Sequence, residues 1–244
     1  MSPRSALLLL ILSLGLSSCA SNETQTGTSR AWGSMRTVLR DGDHSARVRV
    51  LEVSNPSTIG VGALAGLSGE IAIVEGRAWV MEGTPAGERP TVRMATPSDE
   101  ATLLFTQDVL LWRASALPGC SSYDALEAAI RREIIASGGD PQRPTPVKIV
   151  GDLAHAQFHA IAGACPIADP TGPPPWRGDQ RSVSAEVVGF YVESATGTWT
   201  HHGRASHLHV LIGDQMGHLD SIDLRSGTLY LPEFAEVRST RVVE

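Results

Sequence analysis

The chain has 244 residues, 42% of them hydrophobic and 19% charged, with a formal net charge of −6. That composition is that of an ordinary globular protein and excludes a disordered or fibrous one. No basic patch or basic helix is present, so a nucleic-acid partner is not expected.

Residues 1–18 read as an export signal rather than as part of the fold. Arg4 supplies a positive start, and the apolar run over 6–16 is too short to span a bilayer comfortably. The run ends in Leu16-Ser17-Ser18-Cys19, which resembles the lipobox of bacterial lipoproteins. That resemblance implies cleavage before Cys19 and lipidation of its thiol. Ala20 follows rather than an aspartate, which by analogy with lipoprotein sorting favours the outer membrane, facing the periplasm. Membrane contact is then expected only through the lipid on Cys19. Residues 19–31 are polar and cannot bury enough surface to fold, so they read as a tether.

Roughly 210 residues remain, enough for one large or two small domains. A link at 140–146 divides them into a sheet-containing part over 32–143 and a β-rich part over 144–244. In chain order, 47–53 alternates charged and apolar residues and reads as a strand with one wet face. Four glycines at 60, 62, 66 and 69 suggest turns or close backbone approach. Residues 70–81 read as a hairpin turning at Glu75-Gly76. A helix is expected to begin near Thr96-Pro97-Ser98, with Asp99 and Glu100 in its first turn. A second begins at Ser121 or Ser122, carries Leu126, Ala129, Ile130 and Ile134 at helical spacing, and stops at Gly138-Gly139. Beyond the link, 147–161 and 183–193 read as strands separated by a proline-rich loop over 166–177. Residues 207–212 and 218–224 read as a hairpin. Cys120 and Cys165 read either as a disulfide, favoured by export to an oxidising compartment, or as two separate buried thiols.

Five of the eight histidines fall between 201 and 218. In a strand, residues i and i+2 share a face, so His207 and His209 project side by side. Gly213-Asp214-Gln215 turns the chain, and the returning strand brings His218 beside them. Three imidazoles with an open fourth position are the ligand set of a catalytic zinc site, although imidazole also suits other divalent transition metals. His201 and His202 read as surface residues, or at most as neighbours of the ligands. Asp220, two residues after His218, reads either as a carboxylate orienting a ligand imidazole or as a solvent-facing strand acid.

With these residues in place, the chain from about residue 58 onward resembles the α-acetolactate decarboxylase family. Its glycine-rich segment ending in Leu-Asp-Gly-Glu looks like Gly60-Val61-Gly62 through Leu67-Ser68-Gly69-Glu70. Its Asp-Gly turn looks like Glu75-Gly76, its Thr-Pro stretch like Thr96-Pro97, and its Gly-Phe stretch like Gly189-Phe190. Its His-x-His strand and Gly-Gly-His hairpin look like His207-Leu208-His209 and Met216-Gly217-His218. The resemblance implies an α+β fold, a mixed β-sheet domain with helices followed by a small closed β-barrel. It implies a zinc enzyme that converts 2-acetolactate, a small-molecule substrate, to acetoin and carbon dioxide. The metal ligands carry over to His207, His209 and His218, and the conserved acid to Glu70.

The departures are specific. Where the family has an arginine, eight residues beyond its glycine, the count from Gly151 lands on His159. The following Pro-x-Gln-x-x-Pro-Tyr stretch is replaced by Ala162-Gly163-Ala164-Cys165-Pro166, and the late glutamate has only a loose counterpart in Glu244. Substrate, metal identity and oligomeric state, a homodimer included, stay open. So does a non-catalytic metal- or ligand-binding role on the same scaffold.

Overall fold

A computed structural model describes residues 27–84, 88–165, 169–201 and 203–234. The expected signal peptide, Cys19, most of the expected tether, His202 and Glu244 lie outside the described residues. Among those described, no helix is long and apolar enough to cross a membrane.

The chain is mostly sheet. The first sheet is built from β1 (Arg30–Trp32), β2 (Val48–Arg49), β3 (Thr58–Leu64), β4 (Gly69–Val74), β5 (Arg77–Glu82), β6 (Val92–Met94) and β7 (Glu100–Asp108). Its order is β1-β7-β3-β4-β5-β6, with β2 also on β7. The second sheet takes β8 (Trp112–Cys120), β9 (Thr145–Ala160), β10 (Trp176–Tyr191), β11 (Ser206–Ile212) and β12 (Gln215–Pro232), in the order β11-β10-β9-β12-β8. β12 also pairs with β11, so the hydrogen-bonded path returns to the strand it started from. Helices α1 (Met35–Arg40) and α2 (Tyr123–Ala136) complete the fold. All pairings between these strands are antiparallel, so the first sheet is not mixed as the family resemblance implied. β8 and α2, which precede the 140–146 link, belong with the second sheet.

β3 is buried along its whole length between β4 and β7. Its glycines allow that closeness: a Cβ at Gly62 would lie 2.0 Å from the Leu103 carbonyl oxygen. The hairpin at Glu75-Gly76 is present between β4 and β5, with both residues at positive φ (49° and 77°). α2 forms where its spacing demands. The Ser122 hydroxyl accepts from Ala125 N at 3.2 Å, Asp124 complements the dipole, and Leu126, Ile130 and Ile134 bury one stripe. Each such side chain contributes about 1.5–3 kcal/mol by leaving water.

Three sequence expectations are corrected. Residues 47–53 give only a two-residue strand before a 3₁₀ turn over Val50–Val53. No helix starts at Thr96. Asp99 instead accepts hydrogen bonds from Thr96 N (2.6 Å) and Thr96 Oγ1 (2.9 Å), closing a turn that leads straight into β7. Cys120 and Cys165 are separate buried thiols, not a disulfide, because they sit in different hydrophobic clusters.

The two sheets share a core. Val61, Ala72 and Phe105 from the first pack with Val188, Phe190 and Met216 from the second, and Trp199 is stacked on Phe105 at 4.6 Å. This seam between the sheets holds the histidines.

Candidate metal centre

The period-2 rule places the site. On β11, Leu208, Val210 and Ile212 enter the core beneath the second sheet, so His207 and His209 take the opposite face, toward the seam. They lie opposite Phe190 and Val188 of β10, which face the seam as well. Gly213, with φ 60°, turns the chain, and the register sets His218 of β12 directly across from His209. On β4, Ala72 and Val74 face the seam while Ile71 and Ile73 face away, so Glu70 shares the seam face.

The three imidazoles converge. Candidate ligand atoms of His207, His209 and His218 all lie within 4.8 Å of one another. Nε2 of His207 is 3.2 Å from Nε2 of His209. That separation suits a shared cation: for metal–nitrogen bonds of about 2.0–2.1 Å, the edge of a tetrahedron is roughly 3.3–3.4 Å. Nδ1 of each of these two rings is buried with no hydrogen bond of normal geometry. His207 and His209 are buried and His218 is half-buried. Burial, reinforced by the neighbouring imidazoles, holds His207 and His218 well below the usual histidine range and His209 down to about 3. The backbone carbonyls of Trp199 and Ile71 act on His207 and His209 in the opposite sense and lose to burial. Neutral imidazole is the form that binds a metal, so the donor set, its protonation and its spacing all fit a divalent transition metal.

Glu70 is 4% exposed and stands beside this trio. Its Oε2 lies 3.5 Å from His209 Nε2, and its Oε1 accepts from Ile161 N at 3.2 Å. Burial pushes its carboxyl up to about 7, against the opposing influence of His159 and the Ile161 amide. A cavity of about 40 Å³ lies between Glu70, His159, His201, His207 and His218, walled by apolar residues that include Leu67 and Leu103.

His159 lies on β9 directly across from His218, with ring centroids 5.1 Å apart. Its Nδ1 is 2.8 Å from Asp220 Oδ1. Asp220 therefore partners His159, not one of the three converging rings. Of the two readings of His201, surface residue or neighbour of the ligands, the second holds: its ring centroid is 4.9 Å from that of His218 and it lines the same cavity. Nothing in its spacing signals this, because the loop that carries it has no period.

The support behind β11 was also missed. Glu127 of α2 accepts from Ala205 N (3.1 Å), Ser206 N (2.9 Å) and Ser206 Oγ (2.7 Å), pinning the strand just before His207. Its position on α2 shows in the helical pattern, but its partners do not.

Comparison with known proteins finds the fold. No family model matches the chain, and no curated protein matches it in sequence. Among solved structures, it is similar to an alpha-acetolactate decarboxylase from Bacillus subtilis strain 168, at 16% identity over 84% of each chain, with a TM-score of 0.68. It is equally similar to a protein of unknown function, itself described as similar to alpha-acetolactate decarboxylase, from Staphylococcus aureus (14% identity, 84% of this chain and 85% of that one, TM-score 0.68). An acetolactate decarboxylase from Bacillus subtilis subspecies spizizenii aligns over 84% of this chain and 85% of its own at 16% identity, TM-score 0.66. At such identities the likeness is one of fold, and the fold is that of acetolactate decarboxylase.

Proposed function

We propose that the protein is a zinc-dependent decarboxylase of 2-acetolactate or a related 2-hydroxy-3-keto acid, exported and held to the outer membrane through a lipid on Cys19. The observation that carries the reading is the seam itself: three neutral imidazoles within 4.8 Å of one another and a buried carboxylate 3.5 Å from one of them.

His207, His209 and His218 would hold the metal. When bound, it supplies positive charge for the carbonyl and hydroxyl oxygens as carbon dioxide leaves and electrons move onto them. The carbon–carbon bond to the carboxylate breaks, and its electron pair stays as an enediolate. Glu70 holds a proton at the seam and delivers it to the enediolate carbon, giving the hydroxyketone. Its amide partner, Ile161 N, fixes which carboxylate oxygen faces the histidines. Leu67 and Leu103 keep bulk water from competing for that proton.

Metal content and carbon dioxide release, measured together, test this. The purified protein is expected to hold stoichiometric zinc and to release carbon dioxide from 2-acetolactate, with both lost in His207→Ala/His209→Ala. Zinc bound without turnover across a panel of such keto acids would leave the second reading, a non-catalytic ligand-binding lipoprotein. That reading is favoured by one observation: His159, where the family has an arginine, is committed to Asp220.

A further inference from the structure

The seam opens into a second cavity of about 430 Å³. His159, His201 and His218 form the side nearest the metal-binding trio, and Tyr123, Arg177 and Arg204 are also in its lining. We propose that this cavity is a binding site for a small carboxylate, gripped by Arg177 and Arg204 while its neighbouring oxygens reach the histidine centre. The inference deepens the reading above and rests on it for the metal end of the ligand.

Arg177 is the cross-strand partner of His159 on β10. Its Nη1 donates to Asp220 Oδ2 at 3.3 Å, while Asp220 Oδ1 engages His159. The acid thus aims the guanidinium without saturating it, since an arginine carries five N–H donors and this contact uses one. The side chain is 63% exposed and lines the cavity, which leaves its remaining donors accessible.

Arg204 is held differently. Its guanidinium carbon lies 4.4 Å from the centre of the Tyr123 ring, and its Nη1 donates to Asp124 Oδ1 at 2.5 Å. The ring is anchored in turn by Ser206, whose hydroxyl oxygen lies 3.2 Å from the Tyr123 hydroxyl. Stacking on an aromatic face and pairing at one edge keep a guanidinium in place while leaving its other edge able to bind.

Two planar forks in one lining suit a carboxylate, which takes parallel hydrogen bonds from such donors. A volume of about 430 Å³ lies in the range of small-molecule sites.

The test uses a pair of unreactive probes of one shape, 2-hydroxy-2-methylpropanoate and its carboxamide, titrated calorimetrically into zinc-loaded protein. The acid is expected to bind at least about tenfold more tightly than the amide. Arg177→Gln and Arg204→Gln should each weaken the acid about tenfold while leaving the amide within about twofold, and the double variant should erase the preference. Equal affinity for the two probes, an equal loss of both in the variants, or no binding of the acid overturns the proposal. The same titration on metal-free protein separates the two readings. A chain that takes up no zinc yet keeps the arginine-dependent preference for the acid retains the anion site and loses the decarboxylase reading. A zinc-bound, active protein whose probe affinities ignore both arginines loses the anion site and keeps the reading.

Discussion

The two sheets contribute different chemistry to the seam, and they support it differently. The second sheet brings nitrogens from one hairpin, His207, His209 and His218, whose relative placement follows from strand period and register alone. The first sheet brings one carboxylate, Glu70, which meets His209 only because the two sheets pack face to face through Phe105, Val188 and Phe190. The proposed metal site is therefore built by a hairpin, and the proposed chemistry beside it depends on the packing between sheets. Variants that touch one should leave the other measurable.

The sharpest break is Glu70→Gln. It keeps the shape of the side chain and every nitrogen donor, so zinc content is expected to stay stoichiometric while kcat for decarboxylation falls about 10²–10⁴-fold. Loss of zinc in this variant would show that the carboxylate belongs to the metal's own support. Next is Glu127→Ala, which leaves Ala205 N, Ser206 N and the Ser206 hydroxyl without their acceptor at the start of β11. Zinc affinity should fall roughly 10–100-fold, the scale seen when groups behind metal ligands are removed, as read by chelator competition. Glu127→Gln should restore much of it by supplying an amide oxygen.

A smaller effect is expected from Gly189→Ala. The new Cβ would lie 1.9 Å from the His207 carbonyl oxygen, forcing β10 and β11 apart beside the ligand strand. The cost should be roughly 1–3 kcal/mol in denaturant unfolding, with a weakened zinc site as the companion signal. The smallest lies far from the seam. Arg93 holds Asp99 through two hydrogen bonds of 2.7 and 2.8 Å, and with the Thr96 contacts this lowers the Asp99 carboxyl to about 2 from an ordinary 3.8. A carboxyl lowered by folding stabilises above its unfolded value, and the gain is lost as pH falls from about 4 through about 2. Asp99→Asn should cost roughly 1–2 kcal/mol near neutral pH, tempered by the water reaching Arg93. The gap from wild type should close over that acid window, and zinc binding should not change.

Local periodicity is what made part of the molecule legible. The β11–β12 hairpin, the Glu75-Gly76 turn and α2 all follow from period, turn residues and caps within short windows. The stretch from Thr96 to Glu100 was misread for a physical reason: an aspartate that closes a turn with the threonine three residues back presents the same residues as a helix start. The β-rich run that follows, Thr102 to Thr106, is what decides against a helix. His201, Arg177 and Arg204 carried no signal because their neighbours come from other strands and from a loop without period. Glu70 was noticed through resemblance, and its glycine-rich approach says nothing of the 3.5 Å contact that only sheet packing makes.

β12 pairs with β11, β9 and β8 in turn, the first two at His218 itself. The closed path of strands that carries the histidines is therefore incomplete until this late segment of the chain has threaded between partners made much earlier. Such distant pairings form slowly, so the time course with which refolding protein acquires the visible spectrum of bound cobalt would track the last step of assembly, while the run β3-β4-β5-β6 of the first sheet, whose strands are neighbours in the chain, would mature ahead of it.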